Sequence, residues 1–574
     1  MNNYDKAKIE ADKIDCEIIK MLEEKNNFRV ESGAGSGKTY SLNQAINWLL
    51  ENKKTELIRK KQKIVCITYT NVAVEIISNR INNETFIIPS TIHSFAWEAI
   101  QQYKQQLISL INTSIELNLN KDELEKVSIV KYTLGIRYIE ENVLYLHHND
   151  VLKLFCALLD NEKFRMIFEN KYPLILIDEY QDSYKEIIDR FLKYFIENDT
   201  KLKFGFFGDA WQTIYSTNGA CGLIENEKII EIKKNANFRS APNIVNVLNK
   251  LRTDLPQISA IDEYEGNVFI IDNNDFKGNR RIDNPFKGDL PIEILKIRLE
   301  EINKIIKTTL PPKEQINNLM ITHAILANQQ GYINVLEKFD DKFKENNDEI
   351  ITFVNKMVIP LYEALVSSNM TLLFNTLGIK RYPIKTKNEK IKWKELQIDL
   401  NDSMQKNIID VLKVCIDSKL IPIPPKILEL NKEYDSNPDE IYIRDTIKNT
   451  LDINYKEFKS AIKFLNPTSD YDTNHGVKGN EFDNVIFSIT GGWNLYQFDK
   501  YIPMINNNVS ADKIKSFERN RNLFYVCCSR PKKRLYIFIS ILVSEEFKTY
   551  LVNLVGKENY YNYGDYIEKF KTKH

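Results

Sequence analysis

The chain has 574 residues, so its length predicts several domains of the usual size, about 100–200 residues each, and excludes a small single module. Its 79 Lys and Arg residues balance 79 Asp and Glu residues, and the zero net charge excludes a chain that binds nucleic acid or anionic membrane over its whole surface. With 43% hydrophobic and 28% charged residues, the composition is that of a folded globular protein.

The N-terminal residues MNNYDKAKIEADK alternate in charge, where a secretory signal would need an apolar stretch. No run of about 18 apolar residues follows, so we expect no membrane span. The seven cysteines form no Cys-x-x-Cys pair, which favours reduced thiols over a zinc or iron–sulfur site. We therefore expect a cytoplasmic protein with no membrane partner.

Short apolar runs rich in β-branched residues predict buried strands of a parallel sheet in KIVCITYT, PLILIDE and KFGFFGD. Charged segments with helical periodicity separate these runs, and the alternation is typical of an α/β fold. The same pattern returns in NVFIID, NLMITH, NVIFSI and RLYIFIS. We therefore expect two α/β domains.

Long helical patterns interrupt both predicted α/β domains. The first α/β domain is expected in residues 1–95 and 169–236, with a helical insertion in residues 96–168. The second is expected in residues 237–332 and 457–574, with a helical insertion in residues 333–456.

A glycine-rich segment follows the apolar run FRV and precedes a helical pattern, which is the context of a phosphate-binding loop. In such a loop, backbone N–H groups and a helix N-terminus converge on phosphate. The lysine reaches the β- and γ-phosphate oxygens, and the hydroxyl after it ligates Mg²⁺. The predicted loop comprises Gly33, Ala34, Gly35, Ser36, Gly37, Lys38 and Thr39. We therefore predict that it binds a nucleoside triphosphate.

Two adjacent carboxylates, Asp178 and Glu179, end the apolar strand pattern LILI. A P-loop enzyme needs such groups beside its phosphate site, one to hold Mg²⁺ and one to orient and deprotonate the attacking water. We assign the metal to Asp178 and the water to Glu179. A solvated acidic strand end is the alternative interpretation.

Further segments occur in a fixed order along the chain: TYTN (68–71), TIHS (91–94), DEYQD (178–182), GDAWQTIY (208–215), NFRS (237–240), TNHGVKGNEF (473–482) and LFYVCCSR (523–530). In sequence and in order they resemble the motifs of superfamily 1 helicases of the UvrD, Rep and PcrA type. The resemblance extends from Glu31 to Leu535 and covers nearly the whole chain.

The resemblance assigns roles at the nucleotide site. It implies that Gln212 senses the γ-phosphate and that Arg239 and Arg530 reach it. Arginines suit this task because charge gathers on the phosphoryl oxygens in the transition state. Surface salt bridges are the alternative for both arginines. The resemblance also implies that Phe238 stacks on the nucleobase and that Glu481 contacts the ribose.

The resemblance also implies contacts with single-stranded DNA. The residues that match these motif positions are Tyr69, Thr70, Asn71, His93, Tyr215 and His475. Aromatic side chains in a polar groove can stack on bases without reading sequence, which adds Phe95 and Trp211 as candidates. Core packing is the alternative for each aromatic residue, and a structural role is the alternative for each histidine.

We therefore predict two RecA-like α/β domains with parallel sheets, each carrying a mostly helical insertion, that hydrolyse ATP with Mg²⁺. The resemblance implies a helicase or translocase that moves 3′ to 5′ on single-stranded DNA and meets single-strand/duplex junctions, in DNA repair or phage defence. It extends to UvrD-like subunits of anti-phage systems such as Gabija, which work beside a nuclease. About forty residues follow Arg530, so we expect any nuclease to be a partner chain.

The alternative hypothesis is a nucleotide-gated DNA sensor or regulatory ATPase that controls a partner nuclease without processive unwinding. Two features favour it slightly: no glutamine lies near Glu17, where the family places its adenine-reading glutamine, and the second insertion has only roughly 125 residues. A P-loop kinase or GTPase is excluded because the segments around Gln212, Arg239 and Arg530 have no place in either.

Overall fold

The computed structural model describes residues 2–571 except 69, 82–83, 115–125, 134–136, 215–218, 313, 321–326, 328–329, 346–347, 380–385, 437–440, 466–470, 474–478, 493–494 and 506. The chain folds into two compact units. Unit 1 comprises Met1–Lys277, Val477–Phe487 and Asn494–His574, and unit 2 comprises Gly278–Gly476 and Ser488–Trp493.

The strands in chain order are β1 (Asn27–Ser32), β2 (Ile64–Thr68), β3 (Ile87–Thr91), β4 (Ile129–Tyr132), β5 (Tyr138–Glu140), β6 (Val143–Leu146), β7 (Leu174–Asp178), β8 (Lys203–Gly208), β9 (Ile229–Lys234), β10 (Ala236–Asn237), β11 (Ile258–Ser259), β12 (Asn267–Asp272), β13 (Ile316–Met320), β14 (Tyr471–Thr473), β15 (Phe482–Ile489), β16 (Pro531–Ile539) and β17 (Tyr560–Asn562).

The α-helices of unit 1 that precede unit 2 in the chain are α1 (Asn3–Glu24), α2 (Lys38–Asn52), α3 (Lys54–Lys60), α4 (Asn71–Arg80), α5 (Ile92–Ile100), α6 (Lys104–Ser114), α7 (His148–Leu159), α8 (Glu162–Lys171), α9 (Lys185–Phe191) and α10 (Pro242–Leu251). The α-helices of unit 2 are α11 (Ile292–Thr309), α12 (Ile333–Glu345), α13 (Glu349–Phe353), α14 (Ile359–Ser367), α15 (Met370–Leu377), α16 (Lys387–Ser403), α17 (Ile408–Ser418), α18 (Pro425–Ser436), α19 (Ile441–Leu451) and α20 (Tyr455–Leu465). Unit 1 resumes with α21 (Phe498–Tyr501), α22 (Ile514–Cys528), α23 (Glu545–Val555) and α24 (Tyr563–Lys571).

The first sheet of unit 1 has the strand order β3-β2-β7-β8-β1-β9, and each neighbouring pair is parallel. Its central strands are buried on both faces, as expected for a parallel sheet covered by helices. In β7, for example, Ile175 and Ile177 pack into one core and Leu176 packs into the other. This two-sided burial explains why the sequence shows continuous apolar runs and not alternation.

The register of the first sheet brings three strand ends together. Glu31 of β1 lies opposite Gly208 of β8, and Asp178 of β7 lies opposite Phe207 of β8. Open parallel sheets bind ligands at the carboxyl ends of their strands. The loop after β1 and the carboxylates after β7 therefore share the edge where a nucleotide would bind.

The segment between β3 and β7 contains α5–α8 and a small sheet of order β4-β6-β5. Its core is aromatic: Phe155 and Phe168 lie with ring centroids 5.8 Å apart, and both contact Phe95. The insertion predicted for residues 96–168 is thus mostly helical but also contains three short strands that the periodicity did not indicate.

A second sheet in unit 1 contains the strands β15-β16-β12-β17 in that order, with β12 parallel to both β16 and β17. Unit 2 contains helices α11–α20 and the parallel strand pair β13 and β14. The predicted fold class, α/β with RecA-like parallel sheets and mostly helical insertions, is confirmed. The domain boundaries given above stay predictions.

One helical stretch, Glu349–Ser367, is long and apolar enough to cross a membrane by length and composition. Its Ile351, Val354, Val358 and Leu361 side chains are fully buried in the folded chain. Core helices of soluble proteins share these properties, so the expectation of no membrane partner stays a prediction.

Candidate nucleotide site

The glycine-rich loop joins β1 to α2 at the carboxyl edge of the first sheet. Gly35 and Gly37 adopt φ angles of 72° and 77°, in the left-handed region that favours glycine. Gly37 directly precedes α2, which begins at Lys38. The loop therefore curls around a helix N-terminus, an arrangement that favours anions through backbone N–H groups and the helix dipole.

Ser36 provides a test of whether this loop suits a polar ligand. The residue is 1% exposed, and its hydroxyl has no hydrogen-bond partner in the part of the chain that the structure describes. Buried polar atoms are nearly always paired in folded proteins. An unpaired hydroxyl inside a phosphate-binding loop therefore fits a site built for phosphate.

Lys38 lies against the two carboxylates that end β7. Its Nζ is 2.6 Å from Glu179 Oε1 and 3.9 Å from Asp178 Oδ1. Burial alone would lower the pKa of Lys38, but the charges of Glu179 and Asp178 outweigh burial and raise the pKa. The lysine is therefore held in its charged form beside the groups predicted to act with it.

Glu179 has a left-handed backbone conformation, with φ at 51°. Such a conformation is uncommon outside glycine and costs free energy unless neighbouring contacts hold it. Gln181 Nε2 donates a hydrogen bond to Glu179 Oε2 at 2.6 Å. With Lys38 on its other oxygen, the carboxylate is held in one orientation.

The predicted metal ligands fit Mg²⁺ in chemistry. Asp178 offers a carboxylate and Thr39 a hydroxyl, and Mg²⁺ prefers such hard oxygen ligands. Asp178 is 8% exposed, whereas Thr39 lies on the exposed side of the loop. When bound, Mg²⁺ would neutralise charge on the β- and γ-phosphates.

The segment after β10 packs directly on the phosphate-binding loop. The Asn237 side chain donates to the Ala34 carbonyl at 2.9 Å, and the Phe238 backbone N–H donates to the Gly35 carbonyl at 2.8 Å. A Cβ atom on Gly35 would lie 2.7 Å from Arg239 Cβ. Glycine at this position therefore permits the close approach of residues 237–239.

Phe238 is 37% exposed, a high value for a large aromatic residue beside a buried loop. A Cβ atom on Gly37 would lie 3.9 Å from the Phe238 ring. The ring thus borders the loop and leaves surface free for stacking. This placement is compatible with the predicted nucleobase contact.

Arg239 and Glu481 form an ion pair beside the loop. Arg239 Nε donates to Glu481 Oε2 at 3.0 Å, and Arg239 Nη1 donates to the Ser529 carbonyl at 3.2 Å. Lys532 Nζ lies 2.7 Å from the other Glu481 oxygen. Burial would raise the pKa of Glu481, but the hydrogen bonds and charges of Lys532 and Arg239 outweigh it and lower the pKa.

Arg530 is 1% exposed and faces Gln212. Its Nη2 donates to Gln212 Oε1 at 3.3 Å, and its Nε donates to the Val526 carbonyl at 3.0 Å. Burial and the nearby Arg239 lower the pKa of Arg530 to about 9, so it stays charged at neutral pH. The structure thus brings the arginine of the last motif to the predicted phosphate sensor.

Four side chains at this site were not identified from the sequence. Tyr525, in the last motif, accepts a hydrogen bond from the Ala34 N–H at 3.2 Å. Glu31, Asp209 and Arg252 form a buried network beside the loop. Glu31 is a charged residue within the strand pattern FRVES, and this position could have indicated a role at the site. Arg252 lies outside every recognised motif.

Of the residues predicted to contact DNA, the structure describes Thr70, Asn71 and His93. Thr70 caps α4 by accepting a hydrogen bond from the Ala73 N–H at 3.2 Å, and Asn71, the first residue of α4, is exposed. Tyr69, Tyr215 and His475 lie outside the described residues.

His93 stacks on another histidine. Its ring centroid is 3.3 Å from that of His148, and the two ring planes are inclined by 19°. Tyr132 Oη lies 2.7 Å from His148 Nδ1. The ring of His93 therefore has a partner within unit 1, and its predicted contact with DNA stays a prediction.

The two aromatic candidates differ in exposure. Phe95 is fully buried, and its ring centroid is 5.3 Å from that of Tyr172. The prediction that Phe95 stacks on a base is therefore wrong, because its ring packs in the core. Trp211 is partly buried, with Arg521 placed 4.0 Å from its ring centroid and Tyr525 5.5 Å away.

Comparisons with known proteins agree with this geometry. Residues 15–218 match the AAA domain family. The chain is 24% identical to Gabija protein GajB of Bacillus cereus strain HuB5-5, over 91% of this chain and 94% of that protein. It is 23% identical to GajB of strain VD045, over 93% of this chain and 97% of that protein. A probable DNA helicase II homolog of Mycoplasma capricolum is 26% identical over 41% of this chain and 40% of its own length.

The chain resembles the UvrD-like helicases. The predicted resemblance, including the likeness to a Gabija subunit, is confirmed by these matches. The AAA domain match contains the phosphate-binding loop, Asp178, Glu179 and Gln212, so this part of the chain is a nucleotide-binding domain. Arg239 and Arg530 lie outside that match, and their placement comes from the fold. The individual site roles stay predictions.

Proposed function

We propose that the protein is a DNA-stimulated ATPase that translocates on single-stranded DNA, 3′ to 5′, with Mg²⁺ as its metal. One observation carries the proposal: groups from distant parts of the chain converge on one phosphate-binding loop. Lys38 and Glu179 are 2.6 Å apart, and Arg530 reaches Gln212 at 3.3 Å.

Each converging group has a chemical task in phosphoryl transfer. The loop N–H groups and Lys38 would bind the phosphates, and Glu179 would orient the attacking water and accept its proton. Arg239 and Arg530 would stabilise charge that develops on the phosphoryl oxygens. Gln212 accepts a hydrogen bond from Arg530, which supports the proposal that both respond to the same phosphate.

Movement would follow from the contacts of residues 237–239 and Arg530. Asn237 and Phe238 donate hydrogen bonds to loop carbonyls, and Arg530 donates one to Gln212, at 2.8–3.3 Å. Bound triphosphate would strengthen these contacts through its charge, and loss of the γ-phosphate would release them. A cycle of closing and opening can convert hydrolysis into stepping along DNA.

The DNA track is proposed from the motif positions Tyr69, Thr70, Asn71, His93, Tyr215 and His475. Thr70 and Asn71 are exposed at the carboxyl edge of the first sheet, directly after β2. This edge also carries the nucleotide site. We propose a cytoplasmic protein that acts at single-strand/duplex junctions.

The decisive experiment measures ATP turnover with and without single-stranded DNA, then strand displacement on duplexes with a 3′ or a 5′ tail. We expect DNA to raise turnover at least about tenfold and displacement only from the 3′-tailed duplex. Lys38→Ala is the negative control. An ATP turnover rate that single-stranded DNA does not change would contradict the proposed translocase.

A second candidate is a regulatory ATPase that controls a partner nuclease in phage defence without processive unwinding. The extent of the matches favours it: the similarity to GajB covers over nine-tenths of this chain, whereas the helicase II homolog covers 41%. This candidate predicts DNA-stimulated turnover without strand displacement from either tailed duplex, so the same two assays separate the candidates.

A further inference from the structure

Arg252 places a full positive charge in the interior of unit 1. It directly follows α10, its backbone N–H donates to the Leu248 carbonyl at 2.8 Å, and its side chain is 2% exposed. A guanidinium stays protonated even when buried, so it requires charged or polar partners. Its partners identify what it does.

Asp209 is the first partner. Arg252 Nη1 donates to Asp209 Oδ1 at 2.6 Å, and Gln212 Nε2 donates to the other oxygen, Oδ2, at 2.7 Å. Because the Gln212 amide nitrogen is taken by Asp209, its oxygen faces Arg530. The order of contacts is therefore Arg252, Asp209, Gln212, Arg530.

Glu31 is the second partner. Its Oε1 accepts hydrogen bonds from Arg252 Nη2 at 3.0 Å and from the Ala210 N–H at 2.9 Å, and its Oε2 accepts one from Tyr180 at 2.6 Å. Burial and the charge of Asp209 raise the pKa of Glu31. Arg252 thus lies between two buried carboxylates that would otherwise repel each other.

These contacts connect the end of the strand that carries the phosphate-binding loop to the turn that carries Gln212. We propose that Arg252 is a positioning residue for ATP hydrolysis: it holds Asp209 in place, and Asp209 orients Gln212 toward Arg530. The proposal rests on the ATPase function proposed above. Within the described residues, Arg252 forms no hydrogen bond or ion pair with residues 33–39, and its side chain reaches Gln212 through Asp209.

The test is a double-mutant cycle on the full chain, with ATP turnover measured under saturating single-stranded DNA. Arg252→Gln should lower kcat at least about tenfold while the KM for ATP changes less than about threefold. In a Gln212→Ala background the same substitution should change kcat less than about twofold, because the group it positions is already absent. A structural role alone would lower kcat by the same factor in both backgrounds.

Asp209→Asn tests the same link without removing the buried cation. Asparagine can still accept from Arg252, but its amide would turn an N–H₂ group toward Gln212 or lose one of the two contacts. We expect a kcat loss of at least about tenfold that Gln212→Ala again masks. Because the side chain keeps its shape, this variant keeps the proposal falsifiable if Arg252→Gln does not fold.

Arg137→Gln is the matched control. Arg137 also pairs with a buried carboxylate: its Nε donates to Asp150 Oδ2 at 2.8 Å, within the insertion between β3 and β7. We expect it to lower thermal stability and leave kcat unchanged. If the wild-type chain does not hydrolyse ATP, the proposed function fails. If it does, and the losses from Arg252→Gln or Asp209→Asn multiply with that from Gln212→Ala, the positioning role fails.

Discussion

Lys38 Nζ lies 2.6 Å from Glu179 Oε1, so the proposed phosphate-binding lysine and the proposed water-orienting carboxylate form one ion pair. Each group neutralises the other inside a largely buried site. A phosphate entering the loop would compete with Glu179 for the lysine. The pair therefore predicts that removing Lys38 weakens nucleotide binding, whereas removing the charge of Glu179 does not.

Lys38→Ala and Glu179→Gln should both abolish turnover but differ in nucleotide affinity. Loss of Lys38 should weaken ATP binding at least about tenfold, because its charge contacts the phosphates. Glu179→Gln should retain or tighten ATP binding while kcat falls by at least about 10², because the amide cannot accept the proton of the attacking water. Titration with a fluorescent ATP analogue measures the first effect. Similar losses of affinity in both variants would contradict the division of roles.

Gly35→Ala and Gly37→Ala form a matched pair of substitutions in the loop. Both residues have positive φ, so each alanine costs about 1–2 kcal/mol of backbone strain. Only at Gly35 would the new Cβ clash, lying 2.7 Å from Arg239 Cβ and 2.8 Å from Asn237 Oδ1. At Gly37 the nearest atom would be 3.8 Å away, at Tyr40.

Overpacking typically costs about 1–3 kcal/mol, so Gly35→Ala should unfold at a clearly lower temperature than Gly37→Ala. It should also expose residues 237–239 to proteases, because the clash pushes them off the loop. Thermal denaturation and limited proteolysis check both expectations. Equal melting temperatures would show that residues 237–239 do not pack on the loop as described.

The fold was largely predictable because buried parallel strands leave a strong signal. The runs KIVCITYT, PLILIDE and KFGFFGD correspond to β2, β7 and β8. The spacing of the glycines before Lys38 is specific to phosphate-binding loops. The strands β4–β6 were missed because each has only three or four residues, too few for a period of two to appear.

Arg239 and Arg530 should both contribute to the chemical step. We expect Arg239→Ala and Arg530→Lys each to lower kcat by at least about 10², since each removes a group that stabilises developing phosphate charge. Lysine at position 530 keeps the charge but cannot reproduce the separate contacts of the guanidinium with Gln212 and Val526.

The affinity for single-stranded DNA without nucleotide should change by less than about threefold in both arginine variants, because neither residue is placed on the proposed DNA track. Stopped-flow turnover and fluorescence anisotropy measure the two quantities. Wild-type turnover in either variant would show that its guanidinium does not act on the phosphate.

The buried network around Arg252 was not predictable from the sequence, for a physical reason. Its members lie far apart in the chain, and only the register of β1 against β8 brings Glu31 next to Gly208 and thus near Asp209. Motif matching identifies groups that contact a ligand. It does not identify groups such as Arg252, whose guanidinium contacts the carboxylates of Asp209 and Glu31 and not a ligand.

The stacked pair of His93 and His148 predicts how stability depends on pH. Burial and the neighbouring His148 and His147 lower the pKa of His93 to about 4, and burial with His147 lowers the pKa of His148. In the unfolded chain both histidines have a pKa of about 6.5. Between these values the unfolded chain binds more protons than the folded chain, so the free energy of unfolding rises with pH.

The stabilisation is thus fully present above about pH 6.5 and is lost as the pH falls toward about 4. Allowing for solvent screening of the partly exposed ring, His93 should account for about 1–2 kcal/mol of the loss. Urea denaturation at pH 7.5 and pH 5 measures it. His93→Gln cannot take up a proton, so the variant should lose less stability than the wild type between the two pH values. An equal loss in both proteins would show that the two rings do not stack in solution.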